Sequence, residues 1–237
     1  IWVDGEAANP ALELKEILRE SRIEGKRIGV EYDSYGLTAK NGKMLESALD
    51  GFCNLFDASD LVNRLRVVKS KEELVYVRKA AELADDALDE AHNLVREGCD
   101  EGNLLAAMQG AIFRGGGDYP GNEFIIGSGE NALLCRYYSG RRKISTEDQI
   151  TLEWAGAYRH YHAAMMRTIP VGRVTEQHQR MFEICLKSMQ ACQKALRPGN
   201  TIGDVFDAYA RTCDSSGMRD HRLNATGYSL GTTFSPN

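Results

Sequence analysis

The chain has 237 residues, 43% of them hydrophobic, and a net charge of -5. That length predicts two domains with proper hydrophobic cores. Its 29 basic residues are spread along the chain and are outnumbered by 34 acidic ones, which argues against nucleic acid or an acidic membrane surface as a partner. A small molecule or a short peptide is therefore the expected partner.

The sequence also bears on the compartment. No run approaches the roughly eighteen apolar residues of a membrane-spanning helix, and the first residues lack the pattern of a signal peptide. The six cysteines are scattered without a C-x-x-C pair, so we expect reduced thiols. These features predict a cytoplasmic protein without a membrane segment.

Residues 1–64 alternate helical patterns with short apolar runs. Helices are predicted at about 10–23 and 38–49, and strands at 27–32 and 52–56. Pro10 follows Asn9, which suits the first turn and the N-cap of a helix. Because the strands are too few for a complete sheet, we predict part of an N-terminal α/β domain whose beginning is absent from the chain.

A second region starts at residue 65. Residues 65–69 are predicted to be a connector, and Ser70 with Glu73 forms a capping box that starts a long helix. Gly98 is predicted to end this helix, a shorter helix follows at about 100–113, and residues 123–138 are predicted to form a strand, a tight turn and a strand. The predicted buried stripe of the long helix is Leu74, Val77, Ala81, Ala84, Leu88, Ala91 and Val95.

Residues 151–170 predict a β-hairpin with a longer loop. Two runs of β-branched, aromatic and apolar residues flank Gly156 and a polar tip at Tyr158-Arg159. Strand alternation in the second arm places His160, His162 and two further residues, Ala164 and Met166, on one face. Two histidines on one face are candidate metal ligands, or a hydrogen-bonding or substrate-contacting pair.

The pattern then repeats. Helices are predicted at about 176–196 and 201–214, followed by a strand-like stretch at 223–234. Gly98 and Gly199 each precede a short helix with an acidic start, which indicates an internal duplication. Since the second copy stops early, we expect its last strands to follow Asn237 in a longer protein.

The duplication, the connector R-V-V-K-S-K-E-E-L and the hairpin ending in Arg167-Thr168 resemble the pita-bread family. This family holds methionine aminopeptidase, aminopeptidase P, prolidase and the metal-free creatinase. The resemblance implies an α+β pita-bread fold with an internal pseudo-twofold repeat over residues 65–237, its C-terminal strands missing. It also implies an enzyme, a hydrolase, that acts as a homodimer on a small-molecule substrate.

The family's motifs imply a changed site. In its metallopeptidases two aspartates eleven residues apart bind a pair of metal ions, and the matching positions are Glu153 and Ala164. The family histidine five residues after the asparagine of an N-A motif is Arg136, and the histidine of G-H-x-x-G is Tyr228. Creatinase's catalytic histidine and hairpin glutamate correspond to Arg136 and Met166. The resemblance therefore predicts no metal and no other cofactor, with a divalent metal such as Mn or Zn expected only for a peptidase.

Three stretches, Y-P-G-N-E-F-I-I-G-S-G-E-N-A-L-L-C-R-Y, L-E-W-A-G and G-Y-S-L-G, resemble the ectoine hydrolases, a creatinase-related branch that opens a cyclic amidine. This implies a metal-independent C–N hydrolase with Glu153, His162 and His160 as catalytic residues. Arg136 and Tyr228 are the implied substrate-binding residues. A permanently charged arginine suits the ectoine carboxylate, and Glu153 suits the amidinium or the role of general base, with a histidine shuttling the proton.

Other interpretations remain open on the sequence. One is an Xaa-Pro peptidase with an unusual metal site, and another is an inactive pita-bread module that only binds a partner. At single positions, Glu153 is alternatively a strand residue paired with Arg141 or Arg142. Arg136 is alternatively a structural ion-pair partner, and Tyr228 a packed side chain with a satisfied hydroxyl.

Overall fold

The computed structural model describes residues 8–133 and 140–233. The chain divides into two compact units, one up to Val68 and one from Lys69 onward. The predicted connector at 65–69 is helical up to Val67.

The described residues of the first unit, from residue 8 onward, form three helices and two strands. Its sheet has two parallel strands, in which Arg27 pairs with Asn54 and Val30 with Asp57. The cap predicted at Asn9 is formed, because its side-chain oxygen accepts the N–H of Ala11 at 3.1 Å. The elements are α1 (Pro10–Glu20), β1 (Arg27–Val30), α2 (Ala39–Leu49), β2 (Asn54–Asp57) and α3 (Leu61–Val67).

The second unit places helices beside a three-stranded antiparallel sheet with the strand order β3-β4-β5. A 3₁₀ helix (Gly129–Leu133) stands where the sequence predicted the tight turn, and most of the second strand predicted up to residue 138 lies outside the described residues. The named elements are α4 (Lys71–Leu94), α5 (Glu101–Arg114), β3 (Ile125–Ser128), β4 (Asp148–Tyr158), β5 (Tyr161–Val171), α6 (Glu176–Ala195) and α7 (Ile202–Ser215). No helix within the described residues is long and apolar enough to cross a membrane.

Helix α4 begins at the predicted capping box. The Ser70 hydroxyl accepts the N–H of Glu73 at 3.2 Å, and the Glu73 carboxylate accepts the N–H of Ser70 at 2.6 Å. The buried stripe is shifted from the predicted one, since Leu74 is 37% exposed. Small side chains let the helix backbone approach the sheet, so the buried residues are mostly alanines: Ala80, Leu83, Ala84, Ala87 and Ala91.

The predicted hairpin is confirmed as β4 and β5, but its tip differs from the prediction. The turn consists of Arg159 and His160, whose φ angles of 51° and 66° suit a tight two-residue turn and not a longer loop. Gly156 lies within β4, where a Cβ would collide with the backbone carbonyl of Ala80 in α4. Glycine is therefore required here by the close approach of a helix.

The hairpin has two different faces. On the face toward α4, Trp154 is fully buried and its indole N–H donates to the carbonyl of Ala84 at 3.0 Å. Residues directly opposite each other in an antiparallel pair point to the same face of the sheet. The register therefore shows which residues point to the other face, away from α4. That face carries Ile125, Glu153, Ala155, Ala157, His162, Ala164 and Met166.

A second helix pair, α6 and α7, follows the sheet, as the duplication predicts. Gly98 and Gly199 both have positive φ angles, 78° and 94°, just before α5 and α7. Of the strand predicted at 223–234, the described part up to residue 233 is irregular and forms no strand. This segment nevertheless reaches the edge of the sheet, where the N–H of His162 donates to the carbonyl of Gly231 at 2.8 Å.

Candidate active site

Glu153 lies in the middle of the sheet, between Ile125 of β3 and Met166 of β5. It is partly buried, and within the described part of the chain its carboxylate has no hydrogen bond or ion pair. Arg141 lies 3.6 Å from Asp100, and Arg142 lies 2.5 Å from Asp148. The alternative that Glu153 pairs with either arginine is therefore wrong.

The neighbours of Glu153 on its face of the sheet are mostly apolar, apart from the paired hydroxyls of Thr151 and Thr168, which lie 3.3 Å apart. Ile125, Ala155, Ala164 and Met166 share this face, and Ala155 is fully buried. A carboxylate without a cation of its own on such a face is suited to a ligand that is cationic at one point and apolar around it.

His162 lies on the same face and is 3% exposed. Its Nε2 accepts the N–H of Gly121 at 2.8 Å, and its Nδ1 lies 3.4 Å from the carbonyl oxygen of Gly231. Because a backbone amide only donates, Nε2 is unprotonated and Nδ1 carries the hydrogen of the neutral ring. Burial lowers the pKa of His162, which favours this neutral form.

His160 is not on that face. It lies exposed in the hairpin turn, and its backbone N–H donates to the Asp118 carboxylate at 3.1 Å. The prediction that His160 and His162 share one face of a strand is therefore wrong, since the tight turn removes His160 from β5.

Of the predicted site residues, Glu153 and His162 share one face of the sheet but are not in contact. His162 pairs with Ala157, four residues from Glu153 along β4, so the two backbone positions are roughly 13 Å apart at about 3.3 Å per residue. Tyr228 is 47% exposed in the irregular segment that ends at Gly231. Arg136 lies outside the described residues.

Sequence reasoning missed a polar network at the base of the loop between β3 and β4. Glu101 is fully buried, and its carboxylate accepts the N–H of Ser128 at 2.8 Å, the Ser128 hydroxyl at 2.6 Å and the N–H of Arg142 at 3.3 Å. The Arg142 guanidinium in turn donates to the Ser128 hydroxyl and to Asp148. In the sequence Glu101 is only part of the acidic start of a short helix, and no local pattern marks a glutamate that bonds residues far along the chain.

This network also affects ionisation. Burial by itself raises the pKa of Asp148, but hydrogen bonds from Arg142 and from the backbone N–H groups of Ser145 and Gln149 outweigh it. The pKa of Asp148 is therefore held below its ordinary value.

The described residues do not fit the pair of metal ions found in the family's peptidases. Of the aspartate positions, one is Glu153 and the other is Ala164, which supplies no donor. Within the ranges 8–133 and 140–233, no group of three or more His, Cys, Asp or Glu side chains is placed to hold a metal ion.

Comparison with known proteins identifies the relatives of this chain. A model of the metallopeptidase family M24 matches residues 75–237. The Xaa-Pro dipeptidase of Pyrococcus furiosus is 27% identical over 172 residues, which cover 73% of this chain and 49% of that protein. The ectoine hydrolase of Halomonas elongata is 26% identical over 220 residues, 88% of this chain and 54% of that protein. The X-Pro aminopeptidase structure from Thermotoga maritima has a TM-score of 0.87 at 19% identity, covering 96% of this chain and 62% of that one.

The fold is of the α+β pita-bread type, so the predicted fold class is confirmed. The chain belongs to the metallopeptidase family M24. It spans 49% of the length of the dipeptidase relative and 54% of the ectoine hydrolase.

The family match corrects one prediction. The sequence was interpreted as that of a protein without a cofactor, but the family that matches most of the chain is one of metallopeptidases. The prediction that no metal is required is therefore wrong for this family, although Ala164 departs from its donor pattern.

Proposed function

We propose that the protein hydrolyses a C–N bond in a small amino-acid derivative that carries a delocalised cation, and that ectoine, a cyclic amidine, is its substrate. The observation that carries this proposal is the Glu153 carboxylate, which has no ion-pair partner in the described chain and lies beside the apolar side chains of Ile125 and Met166. An amidinium supplies the missing positive charge. Its ring carbons and methyl group suit the neighbouring Ile125, Ala164 and Met166.

In the proposed reaction Glu153 binds the amidinium N–H groups and accepts a proton from the attacking water. The oxygen of that water bonds to the amidine carbon, and the bond from this carbon to one ring nitrogen breaks. The proton held by Glu153 passes to the leaving nitrogen, so that one water is consumed and N-acetyl-diaminobutyrate is formed.

The other predicted site residues keep distinct roles in this proposal. Arg136 binds the substrate carboxylate, and the Tyr228 hydroxyl contacts the substrate. Proton transfer by His160 or His162 stays a prediction. His160 is exposed in the turn, and both ring nitrogens of His162 face backbone groups.

The second candidate is cleavage of an Xaa-Pro dipeptide. It is favoured by the match to a metallopeptidase family and by the Xaa-Pro dipeptidase relative. The ammonium group of a dipeptide would supply the cation that Glu153 lacks.

The test is a turnover assay on the complete protein with ectoine and with an Xaa-Pro dipeptide. Each substrate is assayed with added Mn²⁺ or Zn²⁺ and after chelation, so that both metal states are covered. We expect ectoine to be converted to N-acetyl-diaminobutyrate. Cleavage of the dipeptide without turnover of ectoine would replace the first candidate by the second, and turnover of neither substrate would overturn both.

A further inference from the structure

We infer that His162 is a positioning residue that holds two segments, the turn at Asp118–Gly121 and the segment Gly227–Gly231, against the tip of the hairpin. The effect of this contact on catalysis rests on the proposed function, whereas the contact itself does not. The inference assigns a role to a buried histidine that the proposed reaction leaves without one.

The turn at Asp118–Gly121 is attached to the hairpin at three points. The N–H of Asp118 donates to the carbonyl of Ala157 at 2.8 Å, and the Asp118 carboxylate accepts the N–H of His160 at 3.1 Å. The third contact joins the N–H of Gly121 to Nε2 of His162 at 2.8 Å. The turn therefore contacts β4 at Asp118 and the His162 side chain of β5 at Gly121.

The segment Gly227–Gly231 is attached at the same residue. The backbone N–H of His162 donates to the carbonyl of Gly231 at 2.8 Å, and the Nδ1 atom of the ring lies 3.4 Å from the same oxygen. Tyr228, the proposed substrate contact, precedes Gly231 by three residues. One histidine thus meets both segments that border the hairpin tip.

The geometry favours holding over proton transfer. Nε2 faces an amide that only donates, Nδ1 faces a carbonyl that only accepts, and the ring is 3% exposed. The backbone of His162 also lies roughly 13 Å along the sheet from that of Glu153. The two side chains are therefore too far apart for a direct hydrogen bond. Loss of the ring would leave the Gly121 N–H without its acceptor and detach the Gly121 end of the turn from the hairpin.

Two variants separate the roles. In His162→Gln the side-chain oxygen can accept the Gly121 N–H and the amide group can face Gly231, but the side chain no longer titrates. In His162→Leu the volume is retained and the acceptor is lost. Hydrogen exchange of the Gly121 amide and the KM and kcat for ectoine are measured for both variants in the complete protein.

We expect the Leu variant to exchange the Gly121 amide roughly tenfold faster or more and to raise KM by a similar factor, as for a lost buried hydrogen bond. The Gln variant should restore most of both losses. His92→Leu is the matched control, because His92 is exposed on α4 and its side chain has no hydrogen bond or ion pair among the described residues. It should change neither quantity.

Unchanged exchange of the Gly121 amide in the Leu variant would overturn the inference. So would a Gln variant that keeps the amide protected but loses kcat as severely as the Leu variant, because this would show a proton-transfer role. If ectoine proves not to be a substrate, the exchange measurement still decides whether His162 holds the turn.

Discussion

In the proposed reaction, Glu153 both binds the amidinium and accepts the proton of the attacking water. Replacing it by Gln keeps the shape and removes both the charge and the basic oxygen. We expect kcat for ectoine to fall by roughly two to four powers of ten, the usual span for a lost acid–base group. The melting temperature should change little, because within the described residues Glu153 makes no ion pair or hydrogen bond.

The matched control for this change is Glu147→Gln. Glu147 is exposed just before β4, and its side chain makes no hydrogen bond or ion pair among the described residues. Its variant should keep near-normal turnover. Near-normal turnover of the Glu153 variant as well would remove Glu153 from the reaction and with it the amidine mechanism.

The packing of α4 against β4 depends on one glycine. A Cβ at Gly156 would collide with the carbonyl of Ala80, which is backbone and cannot turn aside. We expect Gly156→Ala to lower the free energy of unfolding by about 1–3 kcal/mol or more, as overpacked cores do. Denaturant unfolding of the complete protein measures this change.

Gly42→Ala provides the comparison. Gly42 lies in α2 with no atom within 4 Å of an added Cβ, so alanine should be neutral or stabilise by about 0.5–1 kcal/mol through helix propensity. An equally neutral effect at Gly156 would show that the helix and strand lie further apart than described.

The network at the base of the β3–β4 loop predicts a loss of stability in acid. The pKa of Asp148 is lower in the folded protein than its ordinary 3.8. As the pH falls through about 4, the unfolded chain takes up a proton before the folded protein does, so stability decreases until the folded carboxyl is protonated too. Thermal unfolding between pH 6 and 3, values that span this transition, is the measurement.

Asp148→Asn should be less stable than the unchanged protein near neutral pH and should lose less stability on acidification. Glu147→Gln, one residue away and exposed, should follow the pH dependence of the unchanged protein. Parallel curves for all three proteins would mean that the Arg142–Asp148 pair does not couple stability to pH.

The division of the chain into two units predicts where a protease cuts first. Val68 is 81% exposed and Leu65 is 73% exposed at the boundary between the units, and boundaries of this kind are preferred sites of cleavage. Brief treatment with trypsin should cut at Arg66 or Lys69 before it cuts within α4, for example at Arg78. Mass spectrometry of the first fragments checks this, and a first cut at any site other than Arg66 or Lys69 would contradict it.

Two statements about the whole protein remain predictions. The homodimer is implied by the resemblance alone and can be measured by light scattering of the complete protein. The cytoplasmic location is inferred from the scattered cysteines and the lack of an apolar run, and fractionation of the source cells would check it.

Several local features could be predicted from the sequence because they depend on residues close together in the chain. The Ser70–Glu73 capping box and the hairpin arms were predicted, since caps and strand alternation are local. The substitution of Ala164 at a family ligand position was also visible in the sequence.

Other features were decided by which elements meet in the folded protein. The sequence predicts a loop around Gly156, but Gly156 lies in β4 with α4 packed against it. The sequence also predicts His160 in a strand, but His160 lies in the tight turn. The buried Glu101 and the doubly held ring of His162 depend on partners 27 to 69 residues away. The sequence thus determined helices, hairpin and family, because these follow from local periodicity and motifs. Only the tertiary structure decided which polar side chains are held and which carboxylate lacks a partner, because burial and hydrogen bonding are set by distant segments.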